Sequence, residues 1–322
     1  MKKVLTWMKI TGQGMHIWNY LWWLKNFLDY AKWNDAYLFL ADLHSLTTIH
    51  DPEILKINKK EMLLDYFSLI GEDFHLTIYE QSKIKKIADI NWILNSVTPY
   101  SLMLRAHSFK DSKNKNSDIN MAVFNYPILM AADIISYDTD VVPVWKDQTQ
   151  HIEFARDIAQ NFNKIYKTDF FKLPKIHTDD EVMLIPWLDG RKMSKSYGND
   201  IKVFETDSDL KKKIMSIETD NTPLEAPKDP EKCNIFELIK FFASENKQNE
   251  IKQKYLAWNY GYWHAKLELF DILKDFLKPF KKRRDFLKQN FDIIEKKLEE
   301  WNRIANDIVD RKYTEIMKIV GL

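Results

Sequence analysis

The sequence predicts an α/β protein, with a Rossmann-like parallel sheet in its first part and an all-helical C-terminal part. Short β-like runs alternate with amphipathic stretches through the first half of the chain, a pattern typical of a parallel sheet wrapped by helices. From about Phe204 onward the strand signals stop and apolar residues recur at helical spacing. We therefore predict an N-terminal domain over 1–203 and a helical domain over 204–322.

Each predicted element has a local signal. The β-like runs are Val4 to Leu5, Ala36 to Ala41, Leu76 to Glu80 and Asp140 to Val144. Helical spacing is found over Trp18 to Tyr30 and Pro52 to Ile70, and later at Ile235, Leu238, Ile239 and Phe242. The polar stretch from Lys110 to Asn120 predicts an exposed loop.

Composition excludes several classes of protein. With 322 residues, of which 45% are hydrophobic, the chain can bury a large core and is not expected to be disordered. A formal charge of +1 argues against a purely electrostatic nucleic-acid binder. The single Cys233 excludes an internal disulfide and a thiolate metal site. Because no long apolar run occurs, we expect a soluble cytoplasmic protein with no membrane partner and no metal site built from its own ligands.

Residues 11–19 (TGQGMHIWN) follow the first predicted strand and precede the first predicted helix. In a parallel sheet this is the carboxyl edge, where nucleotides bind near a helix N-terminus. His16 and Asn19 could donate hydrogen bonds to a polyphosphate there. The alternative for His16 is an ordinary polar loop residue.

Residues 189–199 (DGRKMSKSYGN) place Lys192 and Lys195 three residues apart, with small hydroxyl side chains between and near them. Such a cationic loop is suited to neutralising charge on a phosphoryl centre. The alternative is a solvated basic loop.

Together, KMSKS and the TGxxxHIxN-type loop resemble the paired signatures of class I aminoacyl-tRNA synthetases. Three further runs resemble the bacterial tryptophanyl-tRNA synthetases within that class: 41–47 (ADLHSLT), 126–134 (YPILMAADI) and 142–151 (VPVWKDQTQH). The resemblance covers nearly the whole chain. It implies a ligase that activates L-tryptophan with ATP, releases pyrophosphate, and transfers tryptophan from the adenylate to the 3′ end of tRNA(Trp).

The resemblance also implies partners. Mg²⁺ would accompany ATP, and two copies of the chain would form a homodimer through their catalytic domains. The domain over 204–322 would bind the tRNA anticodon, and its last helix would return toward the catalytic domain. Basic clusters at Lys211 to Lys213 and Lys281 to Arg284 could contact tRNA phosphates or be solvated helix faces.

The resemblance assigns roles to individual residues. Indole has one donor and no acceptor, so Asp133 would accept its N–H; a helix-surface or capping carboxylate is the alternative. The other tryptophan-pocket residues implied are His44, Tyr126, Met130, Val142, Val144 and Gln148. The implied catalytic residues are His16, Asn19, Lys192 and Lys195. The implied ATP contacts are Lys9, Ile10, Thr11, Trp18, Asn19, Trp145, Lys146, Asp147, Val182, Lys192, Met193, Ser194, Lys195 and Ser196, although many relatives have Gln and Pro where Lys9 and Ile10 stand.

The chain has 11 tryptophans and only 7 glycines, where ordinary usage would give roughly 23 glycines. Seven tryptophans stand where the family's pattern has glycine: Trp7, Trp18, Trp22, Trp145, Trp187, Trp258 and Trp263. An indole at Trp18 or Trp145 should fill space meant for the nucleotide. Our hypothesis is a gene in which UGA encodes glycine, translated here as tryptophan. UGG codons at these positions would contradict it.

Two rival functions remain at this stage. A tyrosyl-tRNA synthetase would share the fold and the signatures, but it would need partners for a phenol hydroxyl; Asp133 and the VPVxxDQxQH pattern favour tryptophan. A catalytically inactive binding protein for tRNA or an amino acid would follow if the seven tryptophans are genuine substitutions.

Overall fold

The computed structural model describes residues 1–10, 12, 14–71, 76–106, 120–144, 148–177 and 200–322. Contacts divide the chain into two compact units. The first unit comprises Met1–Gln13, Leu21–Asp180 and Gln289–Leu322, and the second comprises Gly14–Tyr20 and Glu181–Lys288. No helix within the described ranges combines the length and the apolarity that crossing a membrane requires.

The first unit contains five strands and eight α-helices among its described residues. The strands are β1 (Lys3–Lys9), β2 (Asp35–Ala41), β3 (Leu76–Glu80), β4 (Val141–Pro143) and β5 (Lys175–His177). The helices are α1 (Lys25–Ala31), α2 (Asp42–Ser45), α3 (Pro52–Ile70), α4 (Ile87–Val97), α5 (Tyr100–Met103), α6 (Met121–Ile135), α7 (Thr149–Ile165) and the last helix of the chain, which is numbered below.

The second unit is helical in its described part. Its helices are α8 (Asp207–Met215), α9 (Asn234–Phe242), α10 (Glu245–Leu256) and α11 (Tyr262–Gln289), the last of which ends at the border with the first unit. The last helix of the chain, α12 (Phe291–Val320), belongs to the first unit.

The sheet is parallel throughout, in the order β3-β2-β1-β4-β5. β1 therefore lies at its centre, and the strand order reverses on either side of it, which is the place where doubly wound folds bind ligands. The strands β1 to β4 are apolar: Leu5, Leu38, Phe39, Ile78 and Val142 are all buried, as expected of a sheet covered on both faces. The parallel sheet and the helical remainder confirm the predicted fold class.

Local signals set the ends of α3. Asp51 caps it by accepting hydrogen bonds from the backbone N–H groups of Glu53 and Ile54, and Pro52 stands at the first helical position. Gly71 ends it with a φ of 79°, a left-handed conformation that glycine adopts readily.

Two features differ from the sequence prediction. The first helix after β1 does not begin as an α-helix, because Asn19–Leu24 form a π-helical turn before α1. The strand β5, only three residues long, was not predicted. Both features depend on tertiary packing more than on local propensity.

Candidate functional site

The candidate site lies at the carboxyl edge of the central strands. β1, β2, β3 and β4 are neighbours in the sheet, so the residues that follow them meet at one edge. Asp42 follows β2, Gln81 follows β3 and Val144 follows β4. Ligands of parallel α/β sheets bind at this edge.

The buried carboxylate of Asp133, on α6, is the centre of this site. It is 2% exposed. His44 Nε2 lies 3.2 Å from Asp133 Oδ2, and Gln81 Nε2 donates to the same oxygen at 2.7 Å. Both hydrogen bonds that Asp133 makes with described residues therefore involve Oδ2. They hold the carboxylate in one orientation and leave Oδ1 to accept a hydrogen bond from a ligand.

Gln81 is a site residue that the sequence analysis missed. It is fully buried, and its amide is oriented from both ends: Oε1 accepts from the backbone N–H of His44 at 3.4 Å while Nε2 donates to Asp133. Its position directly after a predicted strand was the only signal that could have found it.

Of the predicted pocket residues, His44 contacts this carboxylate directly and Tyr126 contacts His44. The ring of Tyr126 lies edge-on to His44 at 6.0 Å and to His151 at 5.7 Å. Met130 and Val142 are buried, and Tyr126 and Val144 are half-buried against the same core. Gln148 precedes α7 and is half-buried. The structure thus brings Asp133, His44 and Tyr126 together beside apolar side chains.

Burial raises the pKa of Asp133 to about 6, while the hydrogen bonds from His44 and Gln81 favour its charged form and limit the rise. Near neutral pH the carboxylate is therefore ionised, although it is almost fully enclosed. An ionised carboxylate is a strong acceptor for a single N–H donor.

Trp7 lies near this site. It is half-buried on β1, with its ring 6.3 Å from Phe39 and 6.5 Å from His151. His151 also contacts Tyr126. One of the seven tryptophans that the sequence analysis places at expected glycine positions therefore lies beside the predicted pocket residues.

His16 and Trp18 belong to the second unit. His16 forms an isolated antiparallel bridge with Lys202, and Ile17 N donates to Ile201 O at 2.9 Å. Trp18 is 7% exposed, and its ring lies 5.3 Å from Phe241 and 6.4 Å from Phe242. The indole is thus packed as a core side chain of this unit.

The remaining predicted site residues either lie in separate elements or fall outside the described residues. Asn19 begins the π-helical turn, Lys9 ends β1, and Ile10 is buried directly after it. Ten predicted ATP contacts lie outside the described residues: Thr11, Trp145, Lys146, Asp147, Val182, Lys192, Met193, Ser194, Lys195 and Ser196. Of the other tryptophans at expected glycine positions, Trp22 is half-buried, Trp258 and Trp263 are exposed, and Trp187 lies outside the described residues.

The two predicted basic clusters are partly engaged inside the second unit. Lys281 Nζ pairs with Asp207 Oδ1 at 2.8 Å, and Lys213 Nζ pairs with Glu205 Oε2 at 2.6 Å. Lys282 is exposed. Part of each cluster thus stabilises the unit itself, while Lys282 is available to contact a phosphate.

Comparison with known proteins places the chain among aminoacylating enzymes. The family model described as "tRNA synthetases class I (W and Y)" matches residues 2–278. The curated tryptophan–tRNA ligase of Fusobacterium nucleatum is 42% identical over 322 residues, which is all of this chain and 98% of that protein. The curated tryptophan–tRNA ligase of Campylobacter jejuni strain RM1221 is 37% identical, with 99% of this chain and all of that protein covered.

A solved structure gives the same result. The crystal structure of tryptophanyl-tRNA synthetase from Campylobacter jejuni, complexed with ADP and tryptophan, superposes on this chain with a TM-score of 0.94 at 37% identity. The match covers 99% of this chain and 100% of that one. The likeness therefore extends over both units.

Proposed function

The chain belongs to the class I tRNA synthetases of the tryptophan and tyrosine family, and from this premise we propose that it joins L-tryptophan to tRNA(Trp) at the expense of ATP. The carrying observation is Asp133, a buried carboxylate whose Oδ2 is held by Gln81 and His44. Its second oxygen suits the single N–H donor of indole. The names of the full-length relatives support the same substrate.

The reaction has two steps. The tryptophan carboxylate attacks the α-phosphate of ATP and the bond to pyrophosphate breaks, which leaves tryptophanyl-adenylate. A ribose hydroxyl at the 3′ end of the tRNA then attacks the acyl carbon and releases AMP. Both steps require positioning and charge stabilisation more than covalent catalysis. We assign the charge stabilisation to His16, Asn19, Lys192 and Lys195, and the selection of the amino acid to the residues around Asp133.

Mg²⁺ enters with ATP in this proposal. It prefers phosphate oxygens and water and is seldom held by a cage made only of protein ligands. Within the described ranges no group of three or more His, Cys, Asp or Glu side chains could hold a metal ion.

We assign catalysis to 1–203 and binding of the tRNA anticodon to 204–322, with α12 returning to the first unit. The exposed Lys282 supports phosphate contact. Large apolar side chains are exposed on successive helices of the first unit, with Trp92 78%, Tyr100 69% and Met121 67% exposed, which supports a homodimer formed through this unit. The free Cys233 suits the reducing cytoplasm.

The test is amino-acid-dependent exchange of pyrophosphate into ATP. It compares the chain as written with a chain in which Trp7, Trp18, Trp22, Trp145, Trp187, Trp258 and Trp263 are all changed to glycine, with L-tryptophan and L-tyrosine as alternative substrates. We expect exchange with tryptophan only, and only in the chain with the glycines.

Other outcomes have distinct meanings. Exchange with tyrosine would overturn the substrate assignment. Exchange by the chain as written would overturn the recoding hypothesis and keep the function. If neither chain exchanges with either amino acid, the enzyme proposal fails and a binding protein is left.

A further inference from the structure

The last helix, α12, contacts both segments that carry the hydrogen bond between Gln81 and Asp133. Asn302, near the middle of α12, accepts a hydrogen bond from Glu80 N at 2.9 Å through its Oδ1. Its Nδ2 donates to Glu80 Oε2 at 2.8 Å. The residue immediately before Gln81 is thus held by both its backbone and its side chain.

Asn306 holds the other end of the same segment. Its Oδ1 accepts from Lys85 N at 2.9 Å, and its Nδ2 donates to Lys83 O at 2.8 Å. Asn302 and Asn306 are four residues apart and therefore share one face of the helix. Between the two anchored ends, Gln81–Lys83 form a 3₁₀ turn. Such turns have weaker internal hydrogen bonds than an α-helix, so contacts from outside help to fix the position of Gln81. The two asparagines share this role with Asp42, which accepts hydrogen bonds from Ser82 N at 2.8 Å and Ser82 Oγ at 2.5 Å.

Lys312 connects the same helix to the Asp133 side. It is 7% exposed, and its Nζ donates to Asp138 Oδ1 at 2.6 Å. The ring of Phe170 lies 3.8 Å from the same nitrogen. Asp138 follows α6, which carries Asp133, and has a left-handed φ of 53°, a conformation that costs energy in a residue other than glycine. α12 therefore holds the turn after α6 as well as the segment around Gln81.

We propose that Asn302 and Asn306 are positioning residues, through which α12 sets Gln81 against Asp133 and so sharpens the selection of tryptophan. This inference rests on the proposed function. The hydrogen bond from Gln81 is short, and its strength falls steeply with distance and angle. A shift of the segment around Gln81 would leave Asp133 held by His44 alone, and its Oδ1 would be aimed less firmly at the substrate.

The first experiment compares Asn302→Ala/Asn306→Ala with Gln81→Ala, in whichever form of the chain exchanges pyrophosphate. Alanine raises the intrinsic helix propensity of α12, so the double variant removes the contacts without melting the helix. We expect a roughly tenfold rise in the KM for tryptophan in each, with the KM for ATP unchanged within twofold. The control is Arg303→Ala, an exposed neighbour on the same helix.

A combined variant separates positioning from general damage. If the asparagines act through Gln81, then adding Asn302→Ala/Asn306→Ala to Gln81→Ala should change the KM for tryptophan little further. Gln81 lowers the pKa of Asp133. In Gln81→Ala and in Asn302→Ala/Asn306→Ala, the acidic limb of the pH profile of kcat/KM for tryptophan should therefore move to higher pH. Additive effects, or an equal rise in the KM for ATP, would overturn the proposal.

Hydrogen exchange tests the same coupling without activity. His44 N lies in the first turn of α2, where the helix itself provides no acceptor, and it donates a hydrogen bond to Gln81 Oε1. We expect the His44 amide to exchange faster in Asn302→Ala/Asn306→Ala and in Gln81→Ala, but not in Arg303→Ala. An unchanged exchange rate of the His44 amide in Asn302→Ala/Asn306→Ala would overturn the proposed positioning role of the two asparagines. Faster exchange at His44 in a chain that never activates tryptophan would instead mean that the proposed function is what fails.

Discussion

The surroundings of Asp133 and of Trp18 differ in what holds the central side chain. Asp133 is fixed by hydrogen bonds from Gln81 and His44 that end on one oxygen. Trp18 is fixed by aromatic packing against Phe241 and Phe242. The first arrangement leaves an acceptor for a ligand, and the second fills its own space.

The sequence differs between these two regions in the same way. The run around Asp133 resembles that of the tryptophanyl-tRNA synthetases, whereas Trp18 stands at a position where the sequence analysis expects glycine. A binding site is preorganised when its side chains fix one another's positions and leave the pocket for the ligand open. By that criterion the surroundings of Asp133 are preorganised, and we expect the segment around Trp18 to become so only with a smaller residue at that position.

The largest effect that would test this contrast is at Trp18. We compare the chain with all seven tryptophans changed to glycine with one that keeps only Trp18. If the indole fills space meant for the nucleotide, as the sequence analysis expects, then kcat/KM for ATP should be at least about a hundredfold lower when Trp18 is kept. The KM for tryptophan should stay within a few-fold. Both values come from pyrophosphate exchange at varied substrate concentrations.

The matched control keeps only Trp263, which is 61% exposed and should have no such effect on the kinetics with ATP.

The stability of the folded chain provides a second measure of the role of Trp18. Trp18→Gly alone should lower the free energy of unfolding by about 3–5 kcal/mol, since Phe241 and Phe242 lose their packing partner. ATP at a hundred times its Kd should return about 2.7 kcal/mol. Equal ATP kinetics with and without Trp18 would remove the distinction between the two regions.

The next effect is the pH dependence of tryptophan binding through Asp133. Its pKa of about 6 means that the carboxylate is ionised at pH 7.5 and mostly protonated at pH 5. We expect the KM for tryptophan to rise about tenfold between these values. Asp133→Asn should bind tryptophan roughly 10- to 100-fold more weakly at pH 7.5 and lose the dependence on pH. A KM that is flat with pH in the parent chain would contradict the assignment.

The same carboxylate should affect stability in the opposite direction. Its pKa is raised on folding, so the folded chain binds the proton more tightly than the unfolded chain does. The stability contributed by this group is complete below about pH 4 and is lost as the pH rises through about 6. Thermal unfolding of Asp133→Asn should lack this loss.

The sequence predicted the parts of the fold whose signals are local. β3 was predicted at Leu76–Glu80 and α3 at Pro52–Ile70, and the structure has these bounds. Alternating apolar residues, a capping carboxylate and a terminal glycine are all readable within a few residues. By contrast, β5 is three residues long and exists through its pairing with β4, which no local pattern encodes.

The same division applies to the site. Asp133, His44 and Tyr126 were predicted because their runs resemble those of a known family. Gln81 was missed because its role comes from a hydrogen bond to a residue 52 positions away. Buried polar pairs of this kind become visible only when the strands and helices are in place.

The smallest expected effect concerns basic residues of the second unit, which also divide into paired and available side chains. Lys281 is paired with Asp207, whereas Lys282 is exposed. If Lys282 contacts a tRNA phosphate, then Lys282→Ala should raise the KM for tRNA by a few-fold and reduce the salt dependence of binding by about one counterion. Lys281→Ala should instead loosen the contact of α11 with α8 and lower thermal stability, because Asp207 loses a partner. Filter binding of tRNA at several salt concentrations, together with thermal unfolding, separates the effects of the two variants. An unchanged salt dependence of tRNA binding in Lys282→Ala would show that exposure alone does not identify a phosphate contact in this unit.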